Sequence, residues 1–270
     1  TYHFYFGSNG KKTVSTEKTI GNVKYTFDER GVAQDSWVHN SDKGTWKYYG
    51  DEEEPKLHTG WFEAVPPKDL NSDDHESGTT HWYYANSKGE ITIPTADGEV
   101  GVVKTIDGKS YLFNSDGEMV TGLRILTYDG SKITNISSGV DSVDTVKNMN
   151  SDTMKLVYFE SSGAAKTGTT TITLDGTSYT FSFKSNGSPR GVGETGISDG
   201  YIYQNGLRLT ADEDTKYGVV TYKNESYVVN EKGSIQKNKK NLKDADETYY
   251  CTNPKGILLH SSTEKCTAKH

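Results

Sequence analysis

The sequence predicts an all-β fold, a β-solenoid of about ten tandem β-hairpin repeats. Two observations lead to this prediction. A unit of turn, aromatic strand and glycine turn recurs along the 270 residues. Ordinary core residues are also scarce, because Leu, Ile, Val and Phe together fill only 50 positions while Tyr alone fills 18. Tyr buries a large ring and keeps a polar tip in water, so a Tyr-rich repeat can bury a thin local core.

The clearest unit runs from Thr105 to Leu123. It contains a short strand, the turn Asp107-Gly108, the strand Tyr111-Leu112-Phe113 and a second turn that closes on Gly117. Asp-Gly suits a tight hairpin turn because Gly tolerates positive φ. Alternation along the strand places both aromatic rings on one face. A lone hairpin is marginal in water, so we expect the hairpins to stack end to end and bury these faces.

The same unit recurs with drift along the whole chain. Its closing glycines are Gly10, Gly31, Gly89, Gly117, Gly163, Gly187, Gly206, Gly233 and Gly256. A further unit, Trp46-Lys47-Tyr48-Tyr49, is followed by an acidic stretch instead of a glycine turn. Polar loop insertions are expected near 66–80 and 131–154, the second as a loop or a short helix around 141–149. We predict one array over 1–270, with Trp- and Tyr-rich repeats in 1–125, the insertion in 126–154 and Tyr-rich repeats in 155–270.

Composition and charge exclude several classes of function. The net charge of −7 is spread along the chain without a basic stripe, which predicts no binding to nucleic acid. No run of about 18 apolar residues occurs, which predicts no membrane insertion. No signal peptide is visible, and the strand-like opening at 2–6 suggests a piece of a longer protein or a mature form. Cys251 and Cys266 could form one disulfide or remain two free thiols.

These residues carry a family resemblance that covers nearly the whole chain. The unit from Thr105 to Leu123 resembles the glucan-binding repeats of glucansucrases and the carbohydrate-binding repeats of clostridial toxins. The stretches Trp46-Lys47-Tyr48-Tyr49, Thr59-Gly60-Trp61 and Trp82-Tyr83-Tyr84 are similar to the choline-binding repeats of pneumococcal surface proteins. The resemblance implies a β-solenoid with ligands between consecutive hairpins. In choline-binding proteins three aromatic rings cage a quaternary ammonium, whereas glucan-binding relatives stack flatter aromatic surfaces on sugar rings.

The resemblance also implies candidate sites. One cage would combine Trp37, Trp46 and Tyr84, and the next would combine Trp61 and Trp82 with Tyr111 or Phe113. The four tryptophans lie between positions 37 and 82, so we expect binding in that part of the chain. The candidate ligand-binding residues are Trp37, Trp46, Tyr48, Trp61, Trp82, Tyr84, Tyr111 and Phe113. The alternative for these rings is packing inside the hairpin cores.

We therefore predict a secreted or surface-displayed, non-catalytic module of a Gram-positive bacterium that binds a glucan or cell-wall polysaccharide. Binding to a choline-decorated wall polymer is one alternative, and a stalk without ligand is another. Acidic runs such as 51–54 and 212–214 are expected to be solvated turns, since an open hairpin stack lacks the cleft that glycoside hydrolysis needs. No catalytic residue, cofactor or metal site is predicted. No His-Glu-x-x-His or Cys-x-x-Cys spacing occurs, and His81 is expected to be an exposed strand residue.

Overall fold

The computed structural model describes residues 1–187 and 190–267, which fall into two compact units. The first unit comprises residues 1–121 and 129–136, and the second comprises residues 122–128 and the chain from 137 onward. Apart from two six-residue helices, the regular structure in the described ranges is β-strand, so the predicted all-β class of tandem hairpins is confirmed. Neither of these helices has the length to cross a bilayer.

The first unit is a row of antiparallel hairpins. Its elements begin with β1 (Thr16–Ile20), β2 (Val23–Phe27), β3 (Trp37–Asn40), β4 (Thr45–Tyr48), β5 (Gly60–Ala64), α1 (Ser72–Ser77), β6 (His81–Ala85), β7 (Gly101–Ile106) and β8 (Lys109–Asn114). The pairs are β1 with β2, β3 with β4, β5 with β6 and β7 with β8. Each pair is one of the repeats that the sequence predicts.

The second unit continues the same pattern with larger sheets. The next elements are β9 (Gly122–Asp129), β10 (Lys132–Ile136, in the first unit), α2 (Val143–Asn148), β11 (Met154–Phe159), β12 (Gly168–Leu174), β13 (Thr177–Phe183), β14 (Gly196–Ser198), β15 (Tyr201–Gln204), β16 (Leu207–Arg208), β17 (Tyr217–Tyr222), β18 (Glu225–Asn230), β19 (Leu242–Lys243), β20 (Tyr249–Thr252) and β21 (Leu258–Ser262). Strand β9 pairs with β11, β12 to β16 form a five-stranded sheet, β17 pairs with β18, and β19 to β21 form a three-stranded sheet.

An Asx side chain three residues before the closing glycine organises the repeat turn. Asn114 Oδ1 accepts hydrogen bonds from the backbone N–H groups of Asp116 (3.0 Å) and Glu118 (2.9 Å). Equivalent pairs of bonds form at Asp28, Asn86, Asn230 and Asn253. Gly117 has a φ of 77°, and a Cβ there would lie 2.8 Å from Ile91 Cδ1. The position therefore needs glycine both for its backbone and for the close packing of the preceding repeat.

Backbone hydrogen bonds join consecutive hairpins within each unit. Two residues after a closing glycine, an N–H group donates to a carbonyl of the preceding hairpin. In the first unit Ile91 donates to Trp46 (3.0 Å) and Met119 donates to Trp82 (2.9 Å), and in the second unit Ile235 donates to Gly200 (2.9 Å). The same hydrogen bond therefore recurs between consecutive hairpins. This is the stacking expected of solenoid repeats.

The two predicted insertions contain more structure than the sequence indicates. The segment 66–80 carries α1, capped by the Asn71 side chain and ended by Gly78 with a φ of 71°. The expectation of a loop or a short helix for 131–154 is incomplete, because β10 forms there besides α2. Ile133 of β10 pairs with Gly101, where the missing side chain leaves room for Ile136. A contact between distant residues therefore fixes this strand.

The C-terminal end of the second unit is fastened covalently. Cys251 on β20 and Cys266 form a disulfide with their Cα atoms 6.5 Å apart. Both cysteines are buried. The bridge closes a short loop, and of the two alternatives open at the sequence level this structure has the disulfide.

Candidate ligand-binding site

The hairpin of β5 and β6 presents an aromatic face away from the core. Trp61 lies opposite Tyr84, and Trp82 follows two residues away on the same face. Alternation sends the neighbouring pair, Phe62 and Tyr83, to the opposite face, where both rings are buried in a core cluster. The inward pair holds the hairpin in place, so the outward rings are positioned by a rigid element.

Three half-buried rings meet on this face, and we call them the Trp61 trio (Trp61, Tyr84 and Tyr111). The Trp61 ring centre lies 5.1 Å from that of Tyr84 and 4.8 Å from that of Tyr111, with interplanar angles of 67° and 61°. The buried Phe113 ring supports Trp61 at 5.8 Å. Edge-to-face contacts of this kind are favourable for aromatic pairs. The three rings of the trio are therefore held at steep angles to one another by contacts between two consecutive hairpins.

A fixed positive charge borders the trio. Lys104 on β7 lies opposite Tyr111 on β8, and its Nζ atom is 5.8 Å from the centre of the Tyr84 ring. A cation at this distance is attracted by the ring quadrupole. The protein's own ammonium group therefore already occupies part of the space in which a cationic ligand would contact Tyr84.

A second aromatic group surrounds Trp37 at the start of β3. Its ring centre lies 4.9 Å from those of Tyr48 and Tyr83 and 5.9 Å from that of Phe62. Trp37 Nε1 donates a hydrogen bond of 2.7 Å to the carbonyl of Val65, which fixes the ring. An open cavity of about 510 Å³, the Trp37 cavity, adjoins this ring. Its lining includes Trp37, Tyr48, Pro66, Pro67, Lys68 and His75.

Burial and nearby charges shift the titration of the groups beside this cavity. Burial raises the pKa of Tyr48, with a smaller contribution from the Asp51 carboxylate. Burial also lowers the pKa of His58, whose ring lies 5.0 Å from that of Tyr48, and the Lys56 ammonium adds to this effect. Both groups are therefore held in their neutral forms over a wider pH range than in water.

Two of the candidate residues, Trp46 and Phe113, are buried. Trp46 is only 7% exposed and stacks on His39, with ring centres 4.4 Å apart. Phe113 is fully buried beneath Trp61. Both rings are buried in this structure, and Phe113 is buried although it shares the face of β8 on which Tyr111 lies.

The expected grouping of the rings into cages is also wrong in part. Tyr84 joins Trp61 instead of Trp37 and Trp46, since the register of β5 and β6 places it directly opposite Trp61. Trp82 is 44% exposed, and no aromatic ring within residues 1–187 or 190–267 packs against it. Trp82 therefore extends the exposed face beside the trio without forming part of it.

Lys104 is not among the residues predicted from the sequence, although its pairing with Tyr111 has a local signal. A two-residue turn at Asp107-Gly108 pairs each residue before the turn with the one at the same distance after it. This register places Lys104 opposite Tyr111, as observed. No such local signal exists for the residues of the 66–80 segment that line the Trp37 cavity, which are Pro66, Pro67 and His75. The path of a polar loop is set by tertiary contacts.

These features define a class of protein: a tandem array of aromatic β-hairpins whose outward rings form ligand-sized surfaces between repeats. Part of the chain is similar to a curated protein. The chain is 29% identical over 175 residues to glucosyltransferase-S of Streptococcus mutans serotype c. The matched region covers 62% of this chain and 10% of that protein. This chain thus spans about a tenth of the curated relative that it matches. No protein-family model matches the chain.

Solved structures that align with the chain include CbpF in complex with ipratropium, with a TM-score of 0.49, 21% identity, and coverage of 95% of this chain and 76% of that chain. Another is the modular autolysin LytC of Streptococcus pneumoniae, with a TM-score of 0.40, 14% identity, and coverage of 95% and 51%. In its repeat unit and hairpin geometry the chain resembles the repeat modules of the cell-wall-binding, choline-binding and glucan-binding group.

Proposed function

We propose that the chain is a non-catalytic module that binds a neutral polysaccharide, either an extracellular glucan or a cell-wall glycan, at the Trp61 trio. The observation that carries this proposal is the outward aromatic face of β5 and β6, where half-buried Trp61 and Tyr84 adjoin the exposed Trp82. An exposed aromatic surface of this kind, held by a rigid hairpin, suits the apolar face of a sugar ring. The Trp37 cavity is a separate candidate surface of the first unit, because Trp37 packs on the Phe62 and Tyr83 face of this hairpin.

The position of Lys104 supports a neutral ligand over choline. Its ammonium group lies 5.8 Å from the Tyr84 ring, so a quaternary ammonium at the trio would meet a like charge. A sugar meets no such repulsion, and its hydroxyl groups can accept hydrogen bonds from the lysine. Choline binding remains the second candidate function because three rings from consecutive hairpins converge at the trio.

The second unit supports the proposal by contrast. Its aromatic pair Tyr201 and Tyr203 is covered by Arg208, whose guanidinium carbon lies 3.8 Å and 5.6 Å from the two ring centres. Arg208 Nη2 also donates to the Tyr203 hydroxyl at 3.0 Å. These two rings are already in contact with a cation of the protein itself. We therefore propose that the second unit is scaffold. We also propose that residues 1–270 function as a single repeat array.

Two acidic runs and the disulfide bear on catalysis and on location. The acidic runs 51–54 and 212–214 are exposed, which supports a module without hydrolytic activity. The Cys251–Cys266 disulfide supports an oxidising location outside the cell, as does the streptococcal relative. We propose secretion or surface display by a Gram-positive bacterium, within a larger protein.

Affinity electrophoresis tests the proposal. The 270-residue chain is run in native gels cast with dextran, soluble starch or purified wall polymer, with and without free choline. We expect retardation by at least one polysaccharide, and loss of retardation in Trp61→Ala and Tyr84→Ala. Tyr201→Ala in the second unit is the matched control and should be retarded like the parent chain, and circular dichroism checks that each variant is folded.

Three outcomes would contradict the proposal. Normal mobility of the parent chain with every polymer would favour a stalk without ligand. Retardation that free choline abolishes would favour choline-decorated polymer as the ligand. Retardation that survives both trio substitutions in folded protein would place binding elsewhere.

A further inference from the structure

A polar cluster separate from the aromatic face links the segment 66–80 to the hairpin of β7 and β8. Asp74 lies in α1, His81 begins β6, and Glu118 follows the repeat turn after β8. His81 Nε2 lies 2.9 Å from Asp74 Oδ2 and 3.6 Å from Glu118 Oε1. One ligand atom from each residue falls within 4.8 Å of the others. The ligand atoms of a tetrahedral zinc site lie about 3.3 Å apart, so small side-chain adjustments would complete a three-ligand site.

The cluster carries more negative than positive charge. Glu118 is only 8% exposed, and Asp74 is half-buried. His81 carries at most one positive charge against these carboxylates. Partly buried like charges are costly without a counter-ion, and a divalent cation would balance them.

An independent observation comes from Tyr83 in the core. Its side chain is fully buried, and its hydroxyl group has no hydrogen-bond partner among the described residues. His81 and Tyr83 stand two residues apart on β6, so both side chains lie on the same face of the strand, which places this hydroxyl on the side of the cluster. A buried hydroxyl without a partner costs free energy, and native structures rarely leave one unsatisfied. A water molecule on a metal ion in the cluster is the type of partner that this group lacks.

Two asparagines orient the carboxylates as the outer shell of a metal site does. Asn71 Nδ2 donates to Asp74 Oδ2 at 2.8 Å and to Glu118 Oε1 at 2.9 Å. Asn114 Nδ2 donates to Glu118 Oε2 at 2.9 Å. Bonds of this kind fix carboxylates in ligating positions and tune their affinity for a metal.

We propose that Asp74, His81 and Glu118 bind a divalent transition-metal ion of the zinc type, with water as a further ligand beside the Tyr83 hydroxyl. The imidazole ligand favours zinc and its first-row neighbours over calcium and magnesium, which prefer sites made only of oxygen. The ion is a structural clamp. It fastens α1, and with it the 66–68 wall of the Trp37 cavity, to the turn after β8.

The three ligands stand at positions 74, 81 and 118, without the local spacing of a metal motif. For this reason the sequence alone predicts no metal site and an exposed His81. In the structure the His81 side chain is only 26% exposed and faces two carboxylates.

Isothermal titration with zinc chloride tests the proposal on the full chain after treatment with chelator. We expect one zinc ion per chain, with at least a tenfold loss of affinity in His81→Asn and in Glu118→Gln. Zinc should raise the midpoint of thermal unfolding of the parent chain, as followed by tryptophan fluorescence, and leave that of His81→Asn unchanged. Calcium at the same concentration should shift neither.

His260→Asn is the matched control, because it removes a histidine of the second unit and should bind zinc like the parent chain. Circular dichroism establishes that each variant is folded, and Asp74→Asn replaces any variant that is not. Absence of zinc binding by the parent chain would overturn the proposal. Zinc binding that persists in folded His81→Asn, or an equal shift with calcium, would also overturn it.

Discussion

The Lys104 ammonium group lies 5.8 Å from the centre of the Tyr84 ring, at the rim of the Trp61 trio. The contact follows from the register of the β7–β8 hairpin, which places Lys104 opposite Tyr111. It gives the trio an internal cation at the position where a choline-binding site would need an open ring face. In the proposed function, this lysine is the group that favours a neutral ligand over a cationic one.

Removing the lysine charge should convert the trio toward choline binding. In Lys104→Met the ring face of Tyr84 is freed and the like charge is lost, so we expect the affinity for choline to rise about threefold to thirtyfold. Tryptophan fluorescence titrated with choline measures the change, since Trp61 lies in the trio. Lys109→Met, at the exposed far end of the same hairpin, is the control and should leave the affinity unchanged. Equal choline affinity in both variants would contradict the role given to Lys104.

The two tryptophans Trp46 and Trp82 should respond differently to truncation. Trp46 is buried in a core cluster, so Trp46→Ala should destabilise the first unit by about 3–5 kcal/mol. Trp82 is 44% exposed, and Trp82→Ala should change stability by less than about 1 kcal/mol. Urea unfolding followed by the fluorescence of the remaining tryptophans compares the two. Similar losses in both variants would show that Trp82 is packed and not presented to a ligand.

The turn motif predicts which side chains can replace asparagine. Asn230 Oδ1 accepts from the N–H groups of Lys232 (3.0 Å) and Ser234 (2.8 Å), so Asn230→Ala should cost about 1–3 kcal/mol. Asn230→Asp should remain close to the parent chain, because Asp28 makes the same two bonds in its own turn. Thermal unfolding followed by circular dichroism measures both. If Asn230→Asp lost as much stability as Asn230→Ala, the turn would not depend on a side-chain oxygen that accepts these two hydrogen bonds.

The stability of the first unit should fall on mild acidification through His58. Burial lowers the pKa of His58 below its usual value of 6.5, and Lys56 adds to this, while Asp51 and Glu54 oppose it. The unfolded chain therefore takes up a proton at a higher pH than the folded chain does. The contribution of His58 to stability is complete above about pH 6.5 and is lost as the pH falls from there to the lowered pKa.

Tryptophan fluorescence measures this dependence, since all four tryptophans lie in the first unit. His58→Gln should reduce the loss in free energy of unfolding between about pH 7 and about pH 5. This range includes the ordinary histidine pKa of about 6.5. His260→Gln, in the second unit, should leave the fluorescence-detected curve unchanged. An undiminished loss in His58→Gln would assign the dependence to other groups.

The sequence by itself determined the repeat and its local geometry. The Asx side chains, the closing glycines and the two-residue turns act over a few residues, so their positions in the chain specify the hairpins and even the pairing of Lys104 with Tyr111. The four tryptophans, all before position 83, also predict binding in that part of the chain. These features could be predicted because each depends on contacts between near neighbours in sequence.

Only the tertiary structure decided which rings are outward and which partners they meet. Alternation gives two faces to each strand, and the core chooses between them, so Trp46 is buried while Trp82 is exposed. The strand β10 and the cluster of Asp74, His81 and Glu118 arise from residues far apart in sequence. Their proximity depends on how successive hairpins and the segment 66–80 pack, and no local pattern of residues encodes that packing.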